Sequence, residues 1–392
     1  MQPNKDLPHP APAGIPRQLP RLHGIDALRG LAASVIVIHH VVGINQMQLP
    51  AFLSFIPAYF GYGVPLFFII SAFSLYYSYS VRLKGSSDIR AYAIHRFARI
   101  APLFYFMLAV WSITSYYKFG LPPNPAEIIA NLTFLFNFVP AWQNSVVWAG
   151  WSIGVEFLFY ALLPLLIANV RTTWASVSVL AVTLGVAWSF QAAPDTSAGS
   201  VSILMYAPFF AMGIISWGLF VERRSDSDRK SGIAALCGAV VLAAAVLSTG
   251  PIRSLMLTLP YRRVEFYMLG VVFALLVYSQ AVHPVIAISN RAMRFLGEIS
   301  FSLYLLHPWL ILMLKPMYTQ FTLRLSPALC FLLSTVCTFA VLIPVAWMTY
   351  RWIESPGMAF GKAWSRKPHL NEPRTRVAPV EAAPATAGSA AD

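Results

Sequence analysis

The sequence predicts an all-α, polytopic integral membrane bundle of about ten transmembrane helices with both termini cytoplasmic. Three observations lead there. Hydrophobic residues make up 57% of the 392 and charged residues only 11%, whereas an average soluble chain carries about 25% charged residues. Apolar runs of roughly 20 residues recur along the chain, each long enough to cross about 30 Å of hydrocarbon. The Lys and Arg residues between those runs fall very unevenly on alternate loops, as orientation by the positive-inside rule requires.

Residues 1–24 are polar and proline-rich. They lack a charged start followed by an apolar stretch and a small-residue cleavage site, and are read as a retained cytoplasmic segment. The transmembrane domain then occupies 25–360. Apolar runs broken by charges and turn residues place its spans at roughly 25–44, 60–80, 98–117, 148–168, 173–190, 203–221, 232–250, 262–280, 295–315 and 327–349. The run IIANLTFLFNF near 128–138 is too short to cross and is expected to be re-entrant or interfacial on the outer side. Residues 361–392, rich in Pro, Ala and Arg, cannot bury a core and read as a disordered cytoplasmic tail.

Ten crossings return the chain to its starting side, which receives 22 of the 28 Lys and Arg residues. The net charge of +13 is thereby explained by topology and by contact with membrane lipids, with no need for nucleic acid. The outer six are Lys118, Arg253, Arg262, Arg263, Lys315 and Arg324. Arg262 and Arg263 beside Glu265 either meet an anionic acceptor or form an ion pair. Cys237, Cys330 and Cys337 sit in apolar stretches without metal-ligand spacing, so neither a metal site nor a disulfide framework is expected.

Ionisable groups inside a bilayer are costly, so each is a candidate for function. Arg29 and His40 are eleven residues apart, which is about 16 Å of helix rise and close to three full turns. They share one face of span one, with Arg29 at the cytoplasmic edge and His40 deep, whereas His39 points about 80° away. Glu156 in span four and His307 in span nine lie at roughly the depth of His40, which is consistent with one polar chamber in the outer half. An imidazole there is suited to removing a hydroxyl proton, and a carboxylate can orient it. The competing readings are interhelical hydrogen bonds for all three. Arg96 and Arg99, three apart at the cytoplasmic end of span three, could grip phosphate groups or lipid headgroups. Ser71, midway through span two, lacks a local activating base and favours packing over a nucleophilic role.

Six strings in this order, IDALRGLAASVIVIHH, GYGVPLFFIISAFSL, HRFARIAPLF, WSIGVEFLFYALLP, FLGEISFSLYLLHPW and YRWIESP, resemble acyltransferase family 3. That family includes membrane O-acyltransferases of the O-antigen, exopolysaccharide and nodulation-factor acetyltransferase type. The resemblance implies His40 as the catalytic histidine, Arg29 as its essential partner, Arg96 and Arg99 as the pair on the acyl-CoA side, and Glu156 as a further catalytic carboxylate. Ser71 is followed by Ala72 where relatives often carry glycine, and Glu156 by Phe157 where they often carry a second acid. The sequence has no room for the SGNH hydrolase-like domain that many O-antigen members add.

The function so implied is transfer of an acyl group, acetyl by expectation, from cytoplasmic acyl-CoA to a hydroxyl of an exported or cell-surface carbohydrate or glycolipid. It implies a bacterial inner membrane location, acetyl-CoA as donor substrate with no permanently bound cofactor, and contact with polysaccharide assembly partners. The alternative from another class is a transporter or flippase for a sugar-containing substrate, disfavoured because the two halves show no internal repeat.

Overall fold

The computed structural model describes residues 19–191, 201–223, 228–248 and 259–365. The segment up to residue 18, the tail from 366, Arg253, and the side chains of Arg262 and Arg263 lie outside the described residues. The expected outer basic cluster therefore lies outside them too.

All regular structure among the described residues is helical. The long helices are α1 (His23–Asn45), α3 (Gly63–Tyr79), α4 (Ser86–Phe119), α6 (Gly150–Asn169), α7 (Thr173–Gln191), α8 (Ile203–Glu222), α9 (Asp228–Ser248), α10 (Leu259–Val282), α12 (Ser300–Arg324) and α13 (Pro327–Thr349). Shorter ones are α2 (Phe55–Tyr59), α5 (Pro125–Leu132), α11 (Arg291–Glu298) and α14 (Ser355–Ser365), the last continuing α13 through a π-helical turn at Tyr350–Glu354. Nine stretches among the described residues are long and apolar enough to cross a membrane, and a tenth is made by α11 and α12 together. Each predicted span coincides with one of these stretches, and residues 361–365, assigned above to the tail, close α14.

In lipid no hydrophobic force drives helices together, so the bundle is held by close packing, small residues and interhelical hydrogen bonds. Helix α1 is its axis: Ala27, Leu28, Ala32, Ala33, Ile36, Val37 and Val41 are fully buried. It packs against α3, α10, α11, α12 and α13, with α8 behind α3, α7 outside α8, and α9 outside α10. The outer helices turn apolar side chains outward, as Val182 on α7 and Val241 on α9 show.

Span nine is not one straight rod, because α11 meets α12 at 76°. A Cβ on Gly30 would collide with the Met293 carbonyl, and one on Gly297 with the Asp26 carbonyl. The two glycines thus allow α11 and α1 to cross in near backbone contact. From that crossing the chain turns and runs as α12 along α1, which brings His307 beside His40.

The segment between α4 and α6 is re-entrant. Phe134 packs on Phe97, Phe104, Tyr105 and Phe157, and the Tyr105 hydroxyl donates to the Leu132 carbonyl at 2.6 Å. Tyr105 lies fourteen residues before the end of α4 at Phe119, about 20 Å down the helix. That depth rules out a segment lying on the surface. The dip is fixed by Asn131, whose Oδ1 accepts from the Ser145 hydroxyl at 2.5 Å and from Val146 N at 3.3 Å, and by the left-handed conformation of Phe134 and Ser145.

Candidate active site

Among the described residues, two cavities along the bundle bear on the candidate residues. The first, about 560 Å³, runs from Arg21 and Arg82, at the end of the bundle where α1 begins, up to Ser71, Ser152, Glu156 and Tyr304. Arg29, Arg96 and Arg99 also line it, so five arginines face it against Asp26 and Glu156. Asp26 is committed to Arg21 at 2.6 Å, which leaves the cavity electropositive and fit for an anionic ligand. The second cavity, about 490 Å³, is lined by His39 and His40 from α1 and by Asn144, Ser145 and Trp148 from the re-entrant segment. The two share Val64 and Tyr304 in their linings.

Arg29 and His40 are therefore on one helix but in different cavities. The Arg29 guanidinium donates to the Ser74 hydroxyl at 3.0 Å and sits 3.8 Å from Asp26. His40 Nδ1 lies 3.0 Å from the Ile36 carbonyl. A carbonyl only accepts, so Nδ1 carries the proton and Nε2 is left as the basic nitrogen. Fully buried His307 places its Nε2 at 3.2 Å from the same Nδ1 and accepts from it. His39, expected to face another sector, also lines the second cavity, with its ring edge-on to that of His40 at 5.2 Å.

Glu156 does not join the histidines. Its Oε1 accepts from Ser71 and from Tyr160, each at 2.5 Å, and it faces the arginine-lined cavity. The single chamber expected from equal depths is thus two cavities. Helix rise gives depth but not direction: α6 turns Glu156 toward α3, while α1 turns His40 toward α12. Ser71 serves as a hydrogen-bonded partner of this carboxylate.

Arg96 sits 5.6 Å from the centre of the Tyr79 ring and 5.9 Å from that of Tyr160, with its Nη2 3.5 Å from the Tyr79 hydroxyl. Two aromatic faces hold the cation in place. Arg99 lies 3.5 Å from Glu354, a fully buried carboxylate that also accepts from Ser302 at 3.1 Å. The arginine pair is therefore split between a free cation at the cavity wall and a partner for a buried acid. No group of three or more His, Cys, Asp and Glu side chains able to hold a metal ion occurs among the described residues.

Sequence reasoning missed Tyr160, Ser152, Tyr304 and Glu354. Helical spacing carried a signal for three of them: Ser152 and Tyr160 flank Glu156 at four residues on either side, and Tyr304 precedes His307 by three. Glu354 lies in a quoted string, but its partner Arg99 is too distant in sequence for spacing to reveal.

Comparison with known proteins identifies the family. A protein of Acidianus two-tailed virus named "Putative acetyltransferase ORF330" is 24% identical over 287 residues, covering 72% of this chain and 81% of its own length. No solved structure matches. The family profile described as an acyltransferase domain matches residues 22–351. That stretch runs from the N-cap of α1 into the turn after α13 and includes the whole lining of the second cavity and all of the first except Leu19, Pro20 and Arg21, so this multi-pass membrane protein belongs to acyltransferase family 3.

Proposed function

We propose that the protein is an O-acyltransferase of the bacterial inner membrane that uses acyl-CoA, with acetyl as the acyl group, to acylate a hydroxyl of an exported or cell-surface carbohydrate. One observation carries this reading: an arginine-lined cavity and a histidine-lined cavity lie side by side inside the bundle and share Tyr304 and Val64 in their walls. CoA phosphates pair with Arg96 and with Arg29 at the mouth of the first cavity, where guanidinium groups are suited to bidentate contacts. The pantetheine arm then points the thioester toward Tyr304. The acceptor enters the second cavity, and His40 Nε2 removes its hydroxyl proton as the oxygen attacks the acyl carbon. The fixed Nδ1 tautomer and the His307 contact keep that nitrogen free for the task.

The termini and the arginine-lined mouth are assigned to the cytoplasm by the excess of basic residues on that side. In sealed proteoliposomes of known orientation, labelled acetyl-CoA supplied at the face bearing the termini should acylate an acceptor polysaccharide present only at the opposite face. Flux of the acceptor without covalent change would instead mark a carrier. A requirement for both substrates on one side would overturn the through-bundle route.

A further inference from the structure

We infer that Tyr304 is a catalytic residue: its phenol, at the junction of the two cavities, hydrogen-bonds the thioester oxygen and stabilises the oxyanion formed when the acceptor attacks. This rests on the acyl-transfer mechanism proposed above.

The argument begins with position. Of the residues lining either cavity, Tyr304 and Val64 alone line both, and Val64 has no polar atom to offer. A thioester arriving through the arginine-lined cavity and a hydroxyl arriving past His40 must meet beside these two side chains. The Tyr304 ring is only 6% exposed and lies 5.6 Å from the His307 ring, which is itself 4.9 Å from that of His40. Phe67 packs edge-on to it at 5.8 Å. The phenol is thus held in a fixed, water-poor place close to the base, as a preorganised donor must be.

Its hydroxyl is also placed as a donor. The Tyr304 hydroxyl is 2.6 Å from the Ser152 hydroxyl, and Ser152 in turn donates to the Ala149 carbonyl at 3.2 Å. With the Ser152 proton committed to Ala149, Tyr304 is the donor in the pair. A neutral serine oxygen is a modest acceptor, and a developing alkoxide is a much stronger one. The phenol therefore has more to gain in the transition state than in the resting enzyme, which is the condition for catalysis.

The step balances. The acceptor oxygen bonds to the acyl carbon while its proton passes to His40 Nε2. The carbonyl electron pair moves onto oxygen, where Tyr304 donates to it. Collapse of the tetrahedral intermediate breaks the carbon–sulfur bond, the thiolate takes the proton back from His40, and free CoA and the ester leave.

The test uses Tyr304→Phe, which keeps the ring in place, together with Ser152→Ala, in the full chain in detergent. Loss of one oxyanion donor lowers kcat by about 100- to 1,000-fold, so Tyr304→Phe should show that fall with the donor KM nearly unchanged. Infrared spectroscopy of acetyl-CoA isotope-labelled at the carbonyl gives a readout without turnover. Its carbonyl band should move to lower frequency on binding to the wild type and to Ser152→Ala, and should stay at its solution position in Tyr304→Phe. A Tyr304→Phe enzyme that keeps kcat within threefold, or that shifts the band as the wild type does, overturns the assignment. Wild-type protein that binds acetyl-CoA but neither transfers nor hydrolyses it would instead sink the acyl-transfer mechanism itself.

Discussion

Arg99 and Glu354 offer a quantitative test, because removal of one partner leaves a defined defect. Glu354 is fully buried, with Arg99 at 3.5 Å and Ser302 at 3.1 Å as its polar neighbours. Arg99→Ala strips the cation from a carboxylate that water does not reach. Breaking a buried pair in this way costs about 3–5 kcal/mol. At no more than about 2 °C per kcal/mol for a chain of this size, the unfolding midpoint in detergent should fall by up to about 10 °C. Adding Glu354→Gln removes the orphaned charge and keeps an acceptor for Ser302, so the double variant should regain most of that loss, to within about 1 kcal/mol of wild type. The donor KM of the stabilised double variant should return to near the wild-type value, since the phosphates pair with Arg96 and Arg29 and Arg99 is held by Glu354. A single Arg99→Ala change costing under about 1 kcal/mol, or a double variant no more stable than the single, would refute the reasoning.

Three further outcomes follow from the same contacts. His40→Ala should lower transfer by about 100- to 10,000-fold at normal membrane abundance, whereas His307→Leu should cost less than tenfold because His40 keeps the Ile36 carbonyl; steady-state rates on purified protein decide this. Glu156→Ala orphans the Ser71 and Tyr160 hydroxyls and should cost about 2–4 kcal/mol, while Glu156→Gln, which retains an acceptor for both, should cost under about 1 kcal/mol in the same thermal assay. Gly297→Leu must force α11 off the Asp26 carbonyl and should abolish recovery of monodisperse protein on size exclusion; Gly43→Ala, where a Cβ meets nothing within 4 Å, should be recovered like wild type.

The spans were legible because a bilayer imposes a length on apolar runs, and the 128–138 run was legible as non-spanning for the same reason. The 76° break between α11 and α12 was not, since it depends on how closely Gly30 and Gly297 let two backbones approach. Arg29 and His40 could be placed on one face because a single helix fixes both. Their separation into two cavities could not be read, because the dividing side chain, Tyr304, comes from another helix. Glu156 could be singled out as an acid within an apolar run, but its partners Ser71 and Tyr160 depend on how α6 is rotated about its axis, which depth alone leaves open. His307 was found by its depth, and its contact with His40 follows from the same break that the sequence hid.

The wall of the His40 cavity built by Asn144, Ser145 and Trp148 belongs to a stretch that crosses nothing. Ser145 is tied to Asn131 and Trp148 is stacked on Trp111, so these two hold the stretch in place, while Asn144 lies between them and takes no part in either contact. Asn144 can therefore be exchanged without touching helix insertion, the arginine-lined entrance or the reactive imidazole. Such a position behaves as a removable faceplate: new acceptors can be accommodated by rewriting Asn144, while the machinery behind it stays as it is.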